Sequence, residues 1–324
     1  MRVFVAGASG ALGSRIVPAL TEAGHEVIGT HNSPSSAELL RALGAEPVAL
    51  DLLNADAVRR VVGDIKPDAI VHQATALGNA KFARSLDRTF ALTNRLRTEG
   101  TDALLAAAQE TGVRRFVAQS FAPYRYAREG GAIKTEDDPL DPTPPPNSEE
   151  TFGAMTYLER AVTGAGGIAL RYGGFYGAAN DGLIDPVRKR RFPIVGDGGG
   201  VMSFIHLEDA AAATVLALEH EGPSTYNVVD DEPAPVREWL PVLAEALGAE
   251  PPRHFPRWLA RLFAGQAAVV MGTEARGASN AKVRRELGWT PRYASWRTGF
   301  PATYSAIAVA ARRSHVATRR CDGK

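Results

Sequence analysis

Cysteine is almost missing from this chain. Of 324 residues only Cys321 is one, close to the end. A single thiol cannot form a disulfide within the chain or build a cysteine metal site. Disulfide-stapled folds and zinc modules are therefore excluded, and no metal is expected. An excess of one charge is missing too. Lys and Arg number 37 against 36 Asp and Glu, a formal net charge of +1. Nothing in that balance points to nucleic acid or to an acidic membrane surface as a partner. No apolar run is long enough to span a bilayer, and the N-terminus reads as a strand, not a secretory signal. The expected location is the cytoplasm. What remains is an ordinary globular composition, 45% apolar and 23% charged, on a chain long enough for one large domain and a smaller lobe.

Glycine is plentiful, and its placement at the start carries information. Val3 to Val5 form an apolar run of buried-strand length. Gly7, Gly10 and Gly13 follow at three-residue spacing, and Leu12, Ile16, Val17 and Leu20 then repeat at helical spacing. Strand, glycine turn and helix in this order suit a pyrophosphate. Gly7 permits a tight turn, Gly10 offers no Cβ to block a phosphate, and Gly13 lets helix and strand pack closely. The helix N-terminus adds free N–H groups and the positive end of its dipole. Ser9, Gly10, Ala11 and Leu12 lie within the turn.

Residues 1–120 repeat the strand–helix unit. Strands are predicted at 25–29, 46–50, 68–72 and 114–118, and helices at 35–43, 55–62 and 86–112. Such alternation requires crossovers, hence a doubly wound parallel sheet with helices on both faces and ligands at the carboxyl ends of the strands. Residues 122–148 break the pattern with Gly130-Gly131, an acidic run at 136–138 and four prolines at 142–146. They read as a long loop, a substrate wall or a surface excursion. Helix returns at 149–163 and strand at 167–170. Beyond that point the alternation weakens. The segment 258–271 is apolar nearly all round, so buried or partner-facing. The division expected is a cofactor domain over 1–175, a mainly substrate-binding α/β lobe over 176–300 interleaved with it, and a tail over 301–324 that is disordered at its end.

Together these residues resemble the extended short-chain dehydrogenase/reductase family, the group of NAD(P)-dependent epimerases and dehydratases. Gly7-Ala-Ser-Gly-Ala-Leu-Gly13 matches its nucleotide loop. Asp51-Leu52 resembles the pair that holds the adenine ring, and His72-Gln73-Ala74-Thr75 its His-x-Ala-Ala segment. Asn94 with Gly100-Thr101 resembles its Asn-x-x-Gly-Thr helix, shifted by an insertion. Arg171-Tyr172-Gly173-Gly174-Phe175-Tyr176-Gly177 resembles the strand-end loop that touches the nicotinamide. Phe204-Ile-His-Leu-Glu-Asp209, Ser279-Asn-Ala-Lys282 and Leu287-Gly-Trp289 match segments of the C-terminal lobe. The resemblance implies a Rossmann-type fold, a bound nicotinamide nucleotide, a small-molecule substrate and, by family habit, a homodimer through helices 86–112 and 149–163.

The family moves a proton with a Tyr-x-x-x-Lys pair and a Ser or Thr. Aligned on Glu159, the tyrosine position holds Thr151 and the lysine position Met155. Phe121 stands on the third hydroxyl, one residue after Ser120. The cofactor half of the pattern is present and the proton-transfer half is not. Ser120 and Tyr124 are the candidate replacements, Tyr124 first. Tyr126, Tyr157, Tyr176, His72 and His206 read more simply as packed or structural residues.

At the end of the second strand the family's NAD-binding members carry a carboxylate for the ribose 2′-OH. This chain has His31-Asn32-Ser33, donors with no negative charge, so NADP(H) is favoured over NAD(H). Nucleotide-sugar members carry an arginine where Met202-Ser203 stand. A less charged substrate follows. The function expected is an NADP(H)-dependent oxidoreductase of a small carbonyl or alcohol. The alternatives are a cofactor-binding sensor and an epimerase that retains its nucleotide.

Overall fold

The computed structural model describes residues 1–77, 84–178 and 182–305. Seven parallel strands form the central sheet. In spatial order they are Ser224–Val228, Ile168–Tyr172, β5 (Arg115–Phe121), β4 (Ala69–His72), β1 (Arg2–Ala6), β2 (Glu26–His31) and β3 (Glu46–Ala49). The central strands are buried on both faces, which is why they read as short continuous apolar runs. On one face α1 (Gly13–Glu22) and the helix Leu207–Glu219 cover Val3, Val5, Val71 and Leu170. On the other, α3 (Ala55–Ile65), α5 (Thr101–Thr111) and α6 (Glu149–Gly164) cover Phe4, Ile70, Phe116 and Ala118. The helix α2 (Pro34–Ala42) joins β2 to β3.

Several boundaries moved, and the shifts matter for the site. β2 runs on to His31, so His31 ends the strand. β5 runs on to Phe121, so Ser120 is inside the sheet and not in the loop after it. The predicted helix 86–112 is three pieces: α4 (Leu86–Arg95), a π-helical turn at Leu96–Gly100 and α5. Apolar periodicity continues across the turn, so the sequence pattern hides it.

The long loop 122–148 is anchored at both ends. Ile133–Lys134 pairs in parallel with Gly277–Ala278. Glu136 accepts a hydrogen bond from the Asn227 N–H at 2.6 Å, and Tyr126 bridges Leu140. The segment 257–273 is helical but breaks at Gly265, with φ 85°. Its second half is buried through Ala267, Val269 and Val270, whereas Trp258, Leu262 and Phe263 in its first half are exposed. A second core lies in the C-terminal lobe around Phe204, Trp239, Trp296 and Phe300. No described helix is long and apolar enough to cross a membrane. Of the predicted tail, residues 301–305 are helical, and 306–324, which include Cys321, lie outside the described residues.

Candidate active site

The site begins at the carboxyl edge of β1. Gly7 has φ 84°, and a Cβ there would stand 2.7 Å from the Ala74 backbone N. At Gly13 a Cβ would meet the Gly7 carbonyl oxygen at 2.3 Å. Both glycines are demanded by the close approach of strand, helix and the β4 end. Gly10 is different: it is exposed, and the nearest atom to its missing Cβ is the Gly7 oxygen at 3.3 Å. Gly10 N–H closes the turn onto the Gly7 carbonyl, and helical bonding resumes with Ser14 N–H to the Gly10 carbonyl. The N–H groups of Ala11 and Leu12 have no backbone acceptor among the described residues. Free donors over an open glycine surface at the head of a helix fit an anionic pyrophosphate. Ser9 lies on the same turn, while the Leu12 side chain is buried beneath it.

The flanks of this groove fit a nucleotide as well. Asp51 is exposed; one carboxylate oxygen accepts the Leu53 N–H at 3.0 Å. Leu52 is buried and faces Gly100. Beyond β2, the Ser33 hydroxyl caps α2, accepting the Ser36 N–H at 3.3 Å, and Asn32 is exposed. The His31 Nδ1 is buried without a partner. Ala74 and Thr75 continue from β4 at the mouth. Gln73 is 4% exposed, and both its amide atoms lack a hydrogen-bond partner. It approaches the Tyr172 hydroxyl without hydrogen-bond geometry. Tyr172 itself is wholly buried, its hydroxyl 2.6 Å from Thr214, so only its backbone faces the groove. Gly174 follows, with Phe175 stacked obliquely on Tyr172 at 5.4 Å.

The proton-relay positions are occupied by a settled hydrogen-bond chain. The Thr151 hydroxyl donates to Asp87 Oδ1 at 2.8 Å and accepts from the Asn94 amide at 3.1 Å. Its N–H donates to the same Asp87 oxygen. Asp87 thus caps α6 and holds the only proton Thr151 could give. Met155, one turn on, is buried and uncharged. No acid or base stands at either position.

Ser120 is fully buried beside a charge cluster. Its hydroxyl donates to Glu159 and accepts from Arg125 at 3.0 Å. Glu159 also binds Arg125 and, at 2.8 Å, Arg171. Arg171 continues to the Tyr126 hydroxyl at 3.1 Å, and Tyr126 donates to Asn227 at 2.7 Å. Burial alone would raise the Glu159 pKa, but Arg125 and Arg171 win and hold it at about 2. The cluster ties loop, helix and three strands together. Sequence reasoning misses Arg125 and reaches Arg171 only as the first residue of the strand-end loop; a lone arginine in the apolar run Ile168–Tyr172 is the available signal for its burial.

Tyr124 lies nearer the nicotinamide-side loop. Its backbone is left-handed, φ 67°, and its hydroxyl reaches Met202 Sδ at 3.2 Å. Met202 in turn fills the space over Gly174. Burial raises the Tyr124 pKa, so its proton is held tightly. His72 lies deeper: burial lowers its pKa to about 4, leaving it neutral. Its Nδ1 accepts the Ala74 N–H at 3.4 Å and its Nε2 faces the Leu96 carbonyl at 3.2 Å. Tyr157 gives its hydroxyl to Asp102, and Tyr176 packs against Phe300 and His206.

The profile of the NAD dependent epimerase/dehydratase family matches residues 3–228. A 3-diazoavenalumate denitrifying reductase of a Streptomyces species is 41% identical over 308 residues, covering 92% of this chain and 99% of its own. A 4-hydroxy-2-methyl-3-oxo-4-farnesyl-3,4-dihydroquinoline-1-oxide ketoreductase of Stigmatella aurantiaca is 28% identical, covering 90% of this chain and 92% of its own. Among solved structures, UDP-glucose 4-epimerase of Thermus thermophilus in complex with NAD aligns with a TM-score of 0.70 and 26% identity, over 94% of this chain and 98% of that one. The chain belongs to the NAD dependent epimerase/dehydratase family and is an enzyme of its NAD(P)-dependent oxidoreductase or epimerase kind.

Proposed function

We propose that this protein is an NADP(H)-dependent reductase that delivers hydride to a small, strongly electrophilic organic acceptor of the diazo type. The observation that carries the reading is the relay site: Thr151 is locked to Asp87, and Met155 replaces a cation. Reduction of a carbonyl makes an alkoxide that needs a proton. An aryl diazonium does not. Hydride on the aryl carbon with loss of the C–N bond yields the arene, N2 and NADP+, with no proton required. An enzyme for such an acceptor can dispense with a positioned acid. The similarity to a reductase named for a diazo compound supports the same acceptor class. In the groove, Gly7, Gly10, Ala11 and Leu12 would cradle the pyrophosphate, Asp51 and Leu52 the adenine end, and Gly174 and Phe175 the nicotinamide side. Bound nicotinamide would supply the hydride. His31, Asn32 and Ser33 present donors and no carboxylate at the ribose end, which favours a 2′-phosphate. Ser120, whose buried hydroxyl is taken up by Glu159 and Arg125, has no part in this reading.

A second reading, reduction of a ketone, is favoured by one observation: Tyr124 stands beside Met202 and Gly174, where a proton donor would be needed. One experiment separates the two. Purified protein is given NADPH or NADH with an arenediazonium salt or a panel of ketones, and absorbance at 340 nm and N2 are followed. The diazo reading expects one N2 per NADPH, nucleotide deuterium carried onto the ring, and little change in Tyr124→Phe. Turnover only on ketones, abolished in Tyr124→Phe, would replace it with the second reading. Absence of nicotinamide nucleotide binding in a calorimeter would sink both.

A further inference from the structure

Arg97 is buried, 6% exposed, on the π-helical turn. No carboxylate among the described residues forms an ion pair with it, and its Nε has no hydrogen-bond partner. Every other charge this deep on the α6 side of the sheet is paired: Arg125 and Arg171 share Glu159. A buried cation left without a counter-charge is costly unless a ligand completes it. π-helical turns, moreover, tend to occur at functional sites.

Its place is fixed by two cross-helix contacts. Asn94 binds Thr151, and Tyr157 binds Asp102. Arg97 lies between Asn94 and Asp102 in the chain, as Met155 lies between Thr151 and Tyr157, and its turn packs on α6. The groups that feel its charge are His72 at the end of β4, Arg125 in the loop after β5 and Glu159 on α6. Asn94, one turn earlier, also has an unpartnered buried oxygen. The turn abuts the carboxyl end of β4, where His72 Nε2 faces the Leu96 carbonyl at 3.2 Å, so two orphaned polar groups lie on the helical segment next to that strand end. Burial and the nearby Arg125 lower the Arg97 pKa to about 10, which still leaves it charged at neutral pH.

We infer that Arg97 is a cofactor-binding cation: its guanidinium donates to an electron-rich oxygen of the bound nicotinamide nucleotide, supplying from the π-helical turn the positive charge that position 155 does not carry. The inference rests on the reading of the groove as a nicotinamide nucleotide site. It explains why Met155 is tolerated, and why the turn departs from α-helical spacing. A π turn adds a residue and rotates the following side chains relative to the preceding face.

Calorimetric Kd values for NADPH and NADH, with melting temperatures, test it in the wild type, Arg97→Lys, Arg97→Met and Arg97→Met/Met155→Lys. The expected results are a Kd within about threefold of wild type for Arg97→Lys and at least about tenfold weaker for Arg97→Met. Restoring a cation on α6 in the double variant should recover most of that loss. A folded Arg97→Met with unchanged Kd would overturn the inference, and so would a loss that Met155→Lys does not reverse. Should Arg97→Met not fold, Arg97→Gln, which keeps polarity and drops the charge, is read by the same criteria. A wild type that binds no nucleotide would instead refute the cofactor reading.

Discussion

Glu159→Gln should destabilise the protein strongly and flatten part of its acid response. Glu159 is one carboxylate answering two buried arginines, Arg125 and Arg171, and the Ser120 hydroxyl. Glutamine has nearly the same shape but no charge, and its amide NH2 would face a guanidinium. Breaking a buried ion pair by removing one partner costs about 3–5 kcal/mol, because the surviving charge stays desolvated. The pKa gives an independent size. Glu159 is held at about 2 against 4.5 for a free side chain, worth on the order of 3 kcal/mol at neutral pH. The folded pKa lies below the unfolded one. The contribution is therefore complete above about pH 4.5 and disappears as pH falls toward 2. Urea unfolding of wild type and variant across pH 2.5–7 measures both effects. The difference in unfolding free energy should be several kcal/mol at pH 7 and shrink steadily below pH 4.5. A pH 7 difference under about 1 kcal/mol, or one that does not shrink in acid, would refute the reasoning.

Three further outcomes follow from the geometry. Gly7→Ala places a Cβ 2.7 Å from the Ala74 backbone in a left-handed conformation; it should cost at least about 1–2 kcal/mol of stability and weaken nucleotide binding, both measurable by denaturation and calorimetry. His72, with its pKa lowered to about 4 by burial, costs nothing above pH 6.5 and on the order of 3 kcal/mol as pH falls from 6.5 to 4. His72→Gln should therefore show a shallower loss of stability in that window. Asn32→Asp puts a carboxylate just past β2, where none stands; the NADPH Kd should rise at least about tenfold relative to that of NADH.

The parts of the molecule written in local pattern were legible beforehand. Val3–Val5 followed by the three glycines predicted the first strand, turn and helix, and the next five strands of the central sheet lie within about three residues of their predicted spans, whereas short pairings such as Ile133–Lys134 with Gly277–Ala278 carried no pattern. Glu159 also served as the register mark that sets Thr151 and Met155 one turn apart on α6. What stayed hidden depends on residues far apart in the chain. Arg125, Glu159 and Arg171 meet only because β5, α6 and the Ile168–Tyr172 strand are neighbours, and no spacing rule connects them. Apolar periodicity hides the π-helical turn, because one extra residue hardly disturbs it; the one sign is the lengthened spacing from Asn94 to Gly100-Thr101. The apolar segment 258–271 leaves burial and a partner-facing surface open, and pattern alone does not place the break at Gly265, which buries the second half and leaves Trp258, Leu262 and Phe263 exposed.

The outermost strand of the sheet, Ser224–Val228, limits how chains of this kind can change. It pairs with Ile168–Tyr172 along five residues, yet it is reached only after much of the second lobe has been built. The parts of the chain before and after residue 175 therefore share one sheet and cannot be traded as cassettes. A chain stopped at residue 175 would leave the Ile168–Tyr172 edge bare, an invitation to pair with another copy. New chemistry on this frame has to come by single replacements within an undivided body.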